Sequence, residues 1–174
     1  MHGDANSGYS QEACKGVILV DYMVDVEFAR QKLKCNINGT SRGNPCLSSY
    51  GFCLRIDGGD LISVKVKGIG MAMNTEAESM DIQDALEYCQ EKNLNEVTIE
   101  TNSLVVRNII QRQWIIPWEI TERVEKIIMI MQLLDACMVH TFREDNTLAD
   151  ALANQVVESQ GTEMYMDKAQ VPTS

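Results

Sequence analysis

Residues 96–103 read Glu96-Val97-Thr98-Ile99-Glu100-Thr101-Asn102-Ser103. Val97, Ile99 and Thr101 alternate with Glu96, Thr98 and Glu100, the two-residue period of a strand with one face buried. Ser103 then offers a cap for a helix running to about Gln113. A strand that leads directly into a helix rejoins its sheet by a crossover, so this strand is expected to have parallel neighbours.

The flanking sequence supplies those neighbours. Residues 33–38 alternate Leu33, Cys35 and Ile37 against Lys34, Asn36 and Asn38, which predicts a first strand. Residues 39–45 hold two glycines and Pro45 and predict a turn. Strands over 49–56 and 61–72 flank the hairpin turn Asp57-Gly58-Gly59-Asp60. In the third strand, Val64 and Val66 share one face, with Ser63, Lys65 and Lys67 on the other. Thr75 with Glu78 has capping-box spacing and opens a helix to about Lys92, with Ala77, Ala85, Leu86 and Cys89 inward. Pro117 suits a first helical turn, and Ile120, Val124, Ile127, Ile128, Met131 and Leu134 follow at helical spacing. A fifth strand is expected over 136–142. Asn146 can cap a last helix with the stripe Leu148, Ala149, Leu152, Ala153 and Val156.

The order βββ–α–β–α–α–β–α implies a mixed five-stranded sheet, three strands antiparallel and two added in parallel, with helices on both faces. One domain is expected over 32–160, after an N-terminal extension (1–31) and before a C-terminal tail (161–174). Within the extension, 17–28 reads as a short amphipathic piece or an extended stretch.

Apolar residues make up 45 % of the 174-residue chain, which excludes a disordered polymer and allows one well-covered core. The longest apolar runs, such as 17–20 and 127–131, fall far short of the ~20 residues of a membrane span. The polar opening, 1–16, lacks the pattern of a signal peptide, so a cytoplasmic or nuclear protein is expected. Cys14, Cys35, Cys46, Cys53, Cys89 and Cys137 form no CxxC pair, and His2 and His140 lie far apart, which argues against zinc. Buried free thiols are expected at Cys35, Cys53, Cys89 and Cys137, and His140 reads as structural. The net charge of −10 works against tight non-specific nucleic-acid binding, which relies on Lys and Arg. It permits a metal-dependent nuclease, whose site is itself built of carboxylates.

Four short motifs sit on these elements in order. Asn36-Ile37-Asn38-Gly39 ends the first strand, and Asn74-Thr75-Glu76-Ala77-Glu78 opens the first helix. Glu100-Thr101-Asn102-Ser103 ends the fourth strand, and Asn146-Thr147-Leu148-Ala149-Asp150-Ala151-Leu152-Ala153 opens the last helix. Gly43-Asn44-Pro45 follows the first strand, and His140-Thr141-Phe142-Arg143-Glu144-Asp145-Asn146 leads into the last helix. Together, over about 33–159, they resemble ribonuclease H-like domains. The stretch from His140 is similar to the plant, reverse-transcriptase-associated, retroelement-derived branch.

The resemblance implies a ribonuclease H-like fold. It also implies relatedness to endonucleases that cleave the RNA strand of an RNA/DNA hybrid with two Mg²⁺ ions held by four carboxylates. One ion activates the attacking water and the other stabilises the leaving oxygen. Carried over, the four catalytic positions are Asn38, Glu78, Asn102 and Asp150. Only Glu78 and Asp150 keep a metal-ligating carboxylate, and the family's acid at the position of Asn38 bridges both metals. An Asn offers a neutral oxygen and an NH₂ donor. A net loss of about 3–4 kcal/mol at each position would lower metal occupancy more than a hundredfold. Structural roles compete at every position: a capping box for Glu78, a helix-dipole partner for Asp150, strand-end turns for Asn38 and Asn102. Asp81 stands where the family has a small apolar residue, which reads as relaxed constraint ahead of an added carboxylate. Cys46 stands where the family's loop has its second Gly. Decay of a retroelement-derived gene would leave this pattern, as would deliberate inactivation.

The expected function is a catalytically impaired domain that still binds RNA or RNA/DNA hybrid. Arg42, Asn44, Lys65, Lys67, Arg107 and Arg112 are the candidate phosphate and sugar contacts. Two alternatives stay open. One is a pseudoenzyme that keeps only the fold and binds a protein or itself, motivated by the apolar-rich segment 114–131. The other is an active Mg²⁺-dependent hybrid ribonuclease.

Overall fold

The computed structural model describes residues 32–41, 43, 45–57, 59–142 and 147–166. The strands are β1 (Leu33–Ser41), β2 (Cys46–Ile56), β3 (Leu61–Ala72), β4 (Val97–Thr101), β5 (Cys137–His140) and β6 (Thr162–Tyr165). The helices are α1 (Asn74–Glu91), α2 (Leu104–Ile110), α3 (Thr121–Leu133) and α4 (Thr147–Ser159), with a 3₁₀ turn, Trp118–Ile120, leading into α3. The sheet runs β5-β4-β1-β2-β3-β6. β1, β2, β3 and β6 pair antiparallel, while β4 joins β1 and β5 joins β4 in parallel. The expected architecture holds: a mixed sheet with helices on both faces.

Alternation within β1 sorts the core into two layers. Leu33, Cys35 and Ile37 face the larger cluster, where Ile82, Ala85 and Leu86 of α1, Val106 and Ile109 of α2, and Val124, Ile127 and Ile130 of α3 are buried. Burying each Leu or Ile side chain contributes roughly 1.5–3 kcal/mol, so this layer dominates the fold's cohesion. The opposite face carries a smaller cluster in which Leu152 and Val156 of α4 cover Cys53, Val64 and Val66. β1 thus lies between α1 and α4, and Asn38, just past the end of its pairing with β4, is reached by both.

Several expectations are corrected. The sheet has six strands rather than five: β6 arises in the stretch expected as a tail and pairs with β3, Lys67 opposite Thr162. β1 continues to Ser41 and β2 begins at Cys46, because Thr40 and Ser41 still pair with Ser49 and Ser48. α2 stops at Ile110, three residues early, where Arg112 takes φ 57° and turns the chain. Glu78 is not the capping-box acid of α1. The Met73 N–H donates to Glu76 Oε2 at 2.9 Å, so the cap falls at Met73, two residues before the predicted one. Cys35, Cys53 and Cys89 are buried free thiols as expected, but Cys137 is exposed, on β5 at one edge of the sheet. Cys14, the extension over 1–31 and the Asn146 cap lie outside the described residues.

Candidate functional site

β1 and β4 are adjacent and parallel, and their pairing ends at Ile37 opposite Thr101. Asn38 and Asn102 are the next residues on each strand, so they emerge side by side where the sheet opens. The Asn102 amide NH₂ donates to Asn38 Oδ1 at 3.4 Å. The Asn38 NH₂ in turn donates to Asp150 Oδ1, in the first turn of α4, at 2.9 Å. Three of the four positions carried over from sequence therefore form one directed chain of hydrogen bonds.

Glu78 approaches from α1. Gly39 makes that possible, because a Cβ at this position would lie 2.6 Å from the Glu78 backbone N. Only a glycine lets the end of β1 pack this closely on the helix. Burial pushes the Glu78 carboxyl up to about 7, partly offset by the Ser103 hydroxyl beside it. That hydroxyl also accepts from Val106 N at 3.3 Å, so one side chain caps α2 and serves Glu78.

Asp81 is the residue that sequence reasoning undervalued. It is fully buried, and its Oδ2 accepts from the Asn38 backbone N–H at 2.8 Å. β4 has left β1 by this point, so the N–H has no strand partner and α1 supplies the acceptor. Asp81 Oδ1 has no hydrogen-bond partner. Burial raises the carboxyl well above its usual range, and the Asn38 N–H is the largest opposing influence. The signal was present in the sequence. Ala77, Asp81 and Ala85 recur every four residues, which puts the acid on the inward stripe of α1.

Among the described residues, no three acidic, histidine or cysteine side chains converge into a group that could hold a metal ion. The donor set explains this. Glu78 and Asp150 offer carboxylates, but an amide N–H is directed at the Asp150 oxygen that a cation would need. Mg²⁺ takes oxygen ligands, and an N–H turned inward opposes it.

The basic candidates are dispersed. Lys65 pairs with Asp84 at 2.7 Å, and that carboxylate also accepts from Tyr50 Oη at 2.9 Å. Lys67 is exposed on the same strand. Arg112 pairs with Glu125 at 2.8 Å. Arg107 is half-buried on α2, and its Nε lacks a partner. Arg42 and Asn44 lie outside the described residues. His140 sits in β5 with its ring edge-on to Phe142 at 5.9 Å, in keeping with a structural role.

A family model described as reverse transcriptase-like matches residues 36–156. The chain belongs to that reverse transcriptase-like family. No curated protein sequence matches it. Among solved structures, RNase H1 of the halophilic archaeon Halobacterium salinarum is similar, at 24 % identity and a TM-score of 0.69 over 74 % of this chain and 98 % of that one. The N-terminal RNase H domain of a Mycobacterium tuberculosis protein gives 21 % identity and a TM-score of 0.69, covering 75 % and 96 %. An RNase H1 isolated from compost, solved with an RNA/DNA hybrid, gives 25 % identity and a TM-score of 0.68, covering 74 % and 98 %. This member of the family has the RNase H-like fold.

Proposed function

We propose that this domain is a catalytically impaired relative of the RNA/DNA-hybrid ribonucleases that retains binding to RNA or hybrid. The observation that carries the impairment is the Asn102–Asn38–Asp150 chain, in which amide groups stand where the chemistry needs anionic oxygens. The residues present do not fit a pair of Mg²⁺ ions, so no hydrolytic step is assigned to them. The compost RNase H1 held on its hybrid supports the choice of ligand. Lys67, exposed on β3, and Arg107, whose Nε lacks a partner, are the described members of the proposed contact set that are not held in ion pairs, and Arg42 and Asn44 complete it. The motif from His140 to Ala153 supports a retroelement-derived origin in the plant branch.

Binding tests this reading. The domain should hold an RNA/DNA hybrid more tightly than duplex DNA at ~50 mM salt, with affinity falling as salt rises. Absence of binding under those conditions contradicts it.

A second reading has its own observation. The loop between α2 and α3 exposes Trp114, Ile115 and Trp118, the last two at 93 % and 83 %. Apolar exposure on that scale marks a contact surface. Concentration-dependent self-association that a Trp118→Ser variant abolishes would support a protein-interaction role. A strictly monomeric protein would count against it.

A further inference from the structure

We infer that Asn38, Asn102 and Asp150 form a metal-independent clamp that fastens the start of α4 to β1 and to the end of β4. The inference rests on the degenerate-site reading above and extends it to what the site now does.

The chain of amides is directional. Asn102 donates to Asn38, and Asn38 donates to Asp150, so the β4 end, β1 and α4 are joined in sequence. A second contact lies one helical turn further on, where the Thr40 hydroxyl meets Asn154 Oδ1 at 3.4 Å. Asn38 and Thr40 stand two strand residues apart, a rise of about 6.7 Å. Asp150 and Asn154 stand four helical residues apart, a rise of about 6 Å. The two repeats match, so α4 lies along β1 with both contacts in register.

Chemistry makes the clamp independent of a cation. An ionised carboxylate cannot donate, so at pH 8 ionised acids at positions 38 and 102 would face Asp150 as like charges that a bound cation relieves. An amide carries both a donor and an acceptor, and Asn38 uses both. The backbone beneath it is fixed independently by Asp81. Further along α4, Leu152 and Val156 anchor the helix by apolar contact, whereas Leu148 near its start is exposed. The clamp therefore acts at the end of the helix that packing holds least.

Thermal unfolding at pH 8, in EDTA and in Mg²⁺, is the test. The wild-type chain should melt at the same temperature in both. The Asn38→Asp/Asn102→Asp variant should melt lower in EDTA by about 3 °C or more and recover when Mg²⁺ is added. Asn38→Ala removes the amide bonds without adding charge. It should lower the melting temperature equally in both buffers, and it decides the matter if the double variant fails to fold. A wild-type melting temperature that climbs with Mg²⁺ overturns the clamp. So does a double variant as stable as wild type in EDTA, or a silent Asn38→Ala. Hybrid binding by the wild-type chain in the same EDTA buffer separates the two claims. Its absence refutes nucleic-acid retention and leaves the clamp standing, while a Mg²⁺-stabilised wild type refutes the clamp and leaves binding untouched.

Discussion

At Asn38 a strand N–H has lost its neighbouring strand, and a carboxylate from 43 residues away in sequence replaces it. An Asp81→Ala variant leaves that buried N–H unsatisfied and should cost about 1–3 kcal/mol in a urea titration. Glu78 makes a prediction of opposite sign. Its folded pKa of about 7 lies above the ordinary 4.5, so the folded state holds the proton more tightly than the unfolded chain. This contribution to stability is complete below about pH 4.5 and is lost as pH rises through about 7. Glu78→Gln should therefore stabilise the protein at pH 8 by up to about 3 kcal/mol and give no gain at pH 4. Equal effects at the two pH values would contradict the burial argument. That Asn38, Asn102 and Asp150 come together was legible in sequence because each lies in a motif of fixed spacing. The role of Asp81 was not, because its partner is a backbone group on a strand distant in the chain. The competing cap role for Glu78 rested on its spacing from Thr75, but Glu76 reaches the helix start instead.

Strands with clear alternation were legible as elements, with β3 matching at both ends and β1 and β4 within a few residues. The ends that shifted are those set by pairing, as where β1 continues because Ser48 and Ser49 still face it. β6 was missed because Thr162-Glu163-Met164-Tyr165 is short and has no β-branched apolar residue, so only its partner β3 makes it a strand. Gln160 makes that addition possible. Its Oε1 accepts from Gly70 N at 2.5 Å and its Nε2 donates to Ser48 O at 3.3 Å, tying the end of α4 to β2 and β3. The Gly70 N–H belongs to a residue at φ 73°, a bend in β3 that the glutamine side chain closes. Gln160→Ala should cost about 1–2 kcal/mol in chemical denaturation, with faster amide exchange in β6 than elsewhere in the sheet. Unchanged exchange in β6 would show that strand pairing alone holds it.

For the molecule as a whole, a net charge of −10 sets the terms of any nucleic-acid contact. Two of the five basic candidates, Lys65 and Arg112, already pair with carboxylates. Few phosphates can then be neutralised, and the salt slope of hybrid binding should be shallow, with about two to four counterions released. A steep slope would point to basic residues beyond this set. The fold brings the parallel pairing of β1 and β4 to an end with a helix on each side and a glycine that lets β1 reach α1. On the proposed reading, the side chains at positions 38 and 102 account for the lost activity. The most direct test of that claim is cleavage of an RNA/DNA hybrid in Mg²⁺ or Mn²⁺ by the wild-type chain and by its Asn38→Asp/Asn102→Asp variant. The two asparagines predict no cleavage by the wild type and measurable cleavage by the variant. Cleavage by the wild-type chain that disappears on Glu78→Ala would contradict the account.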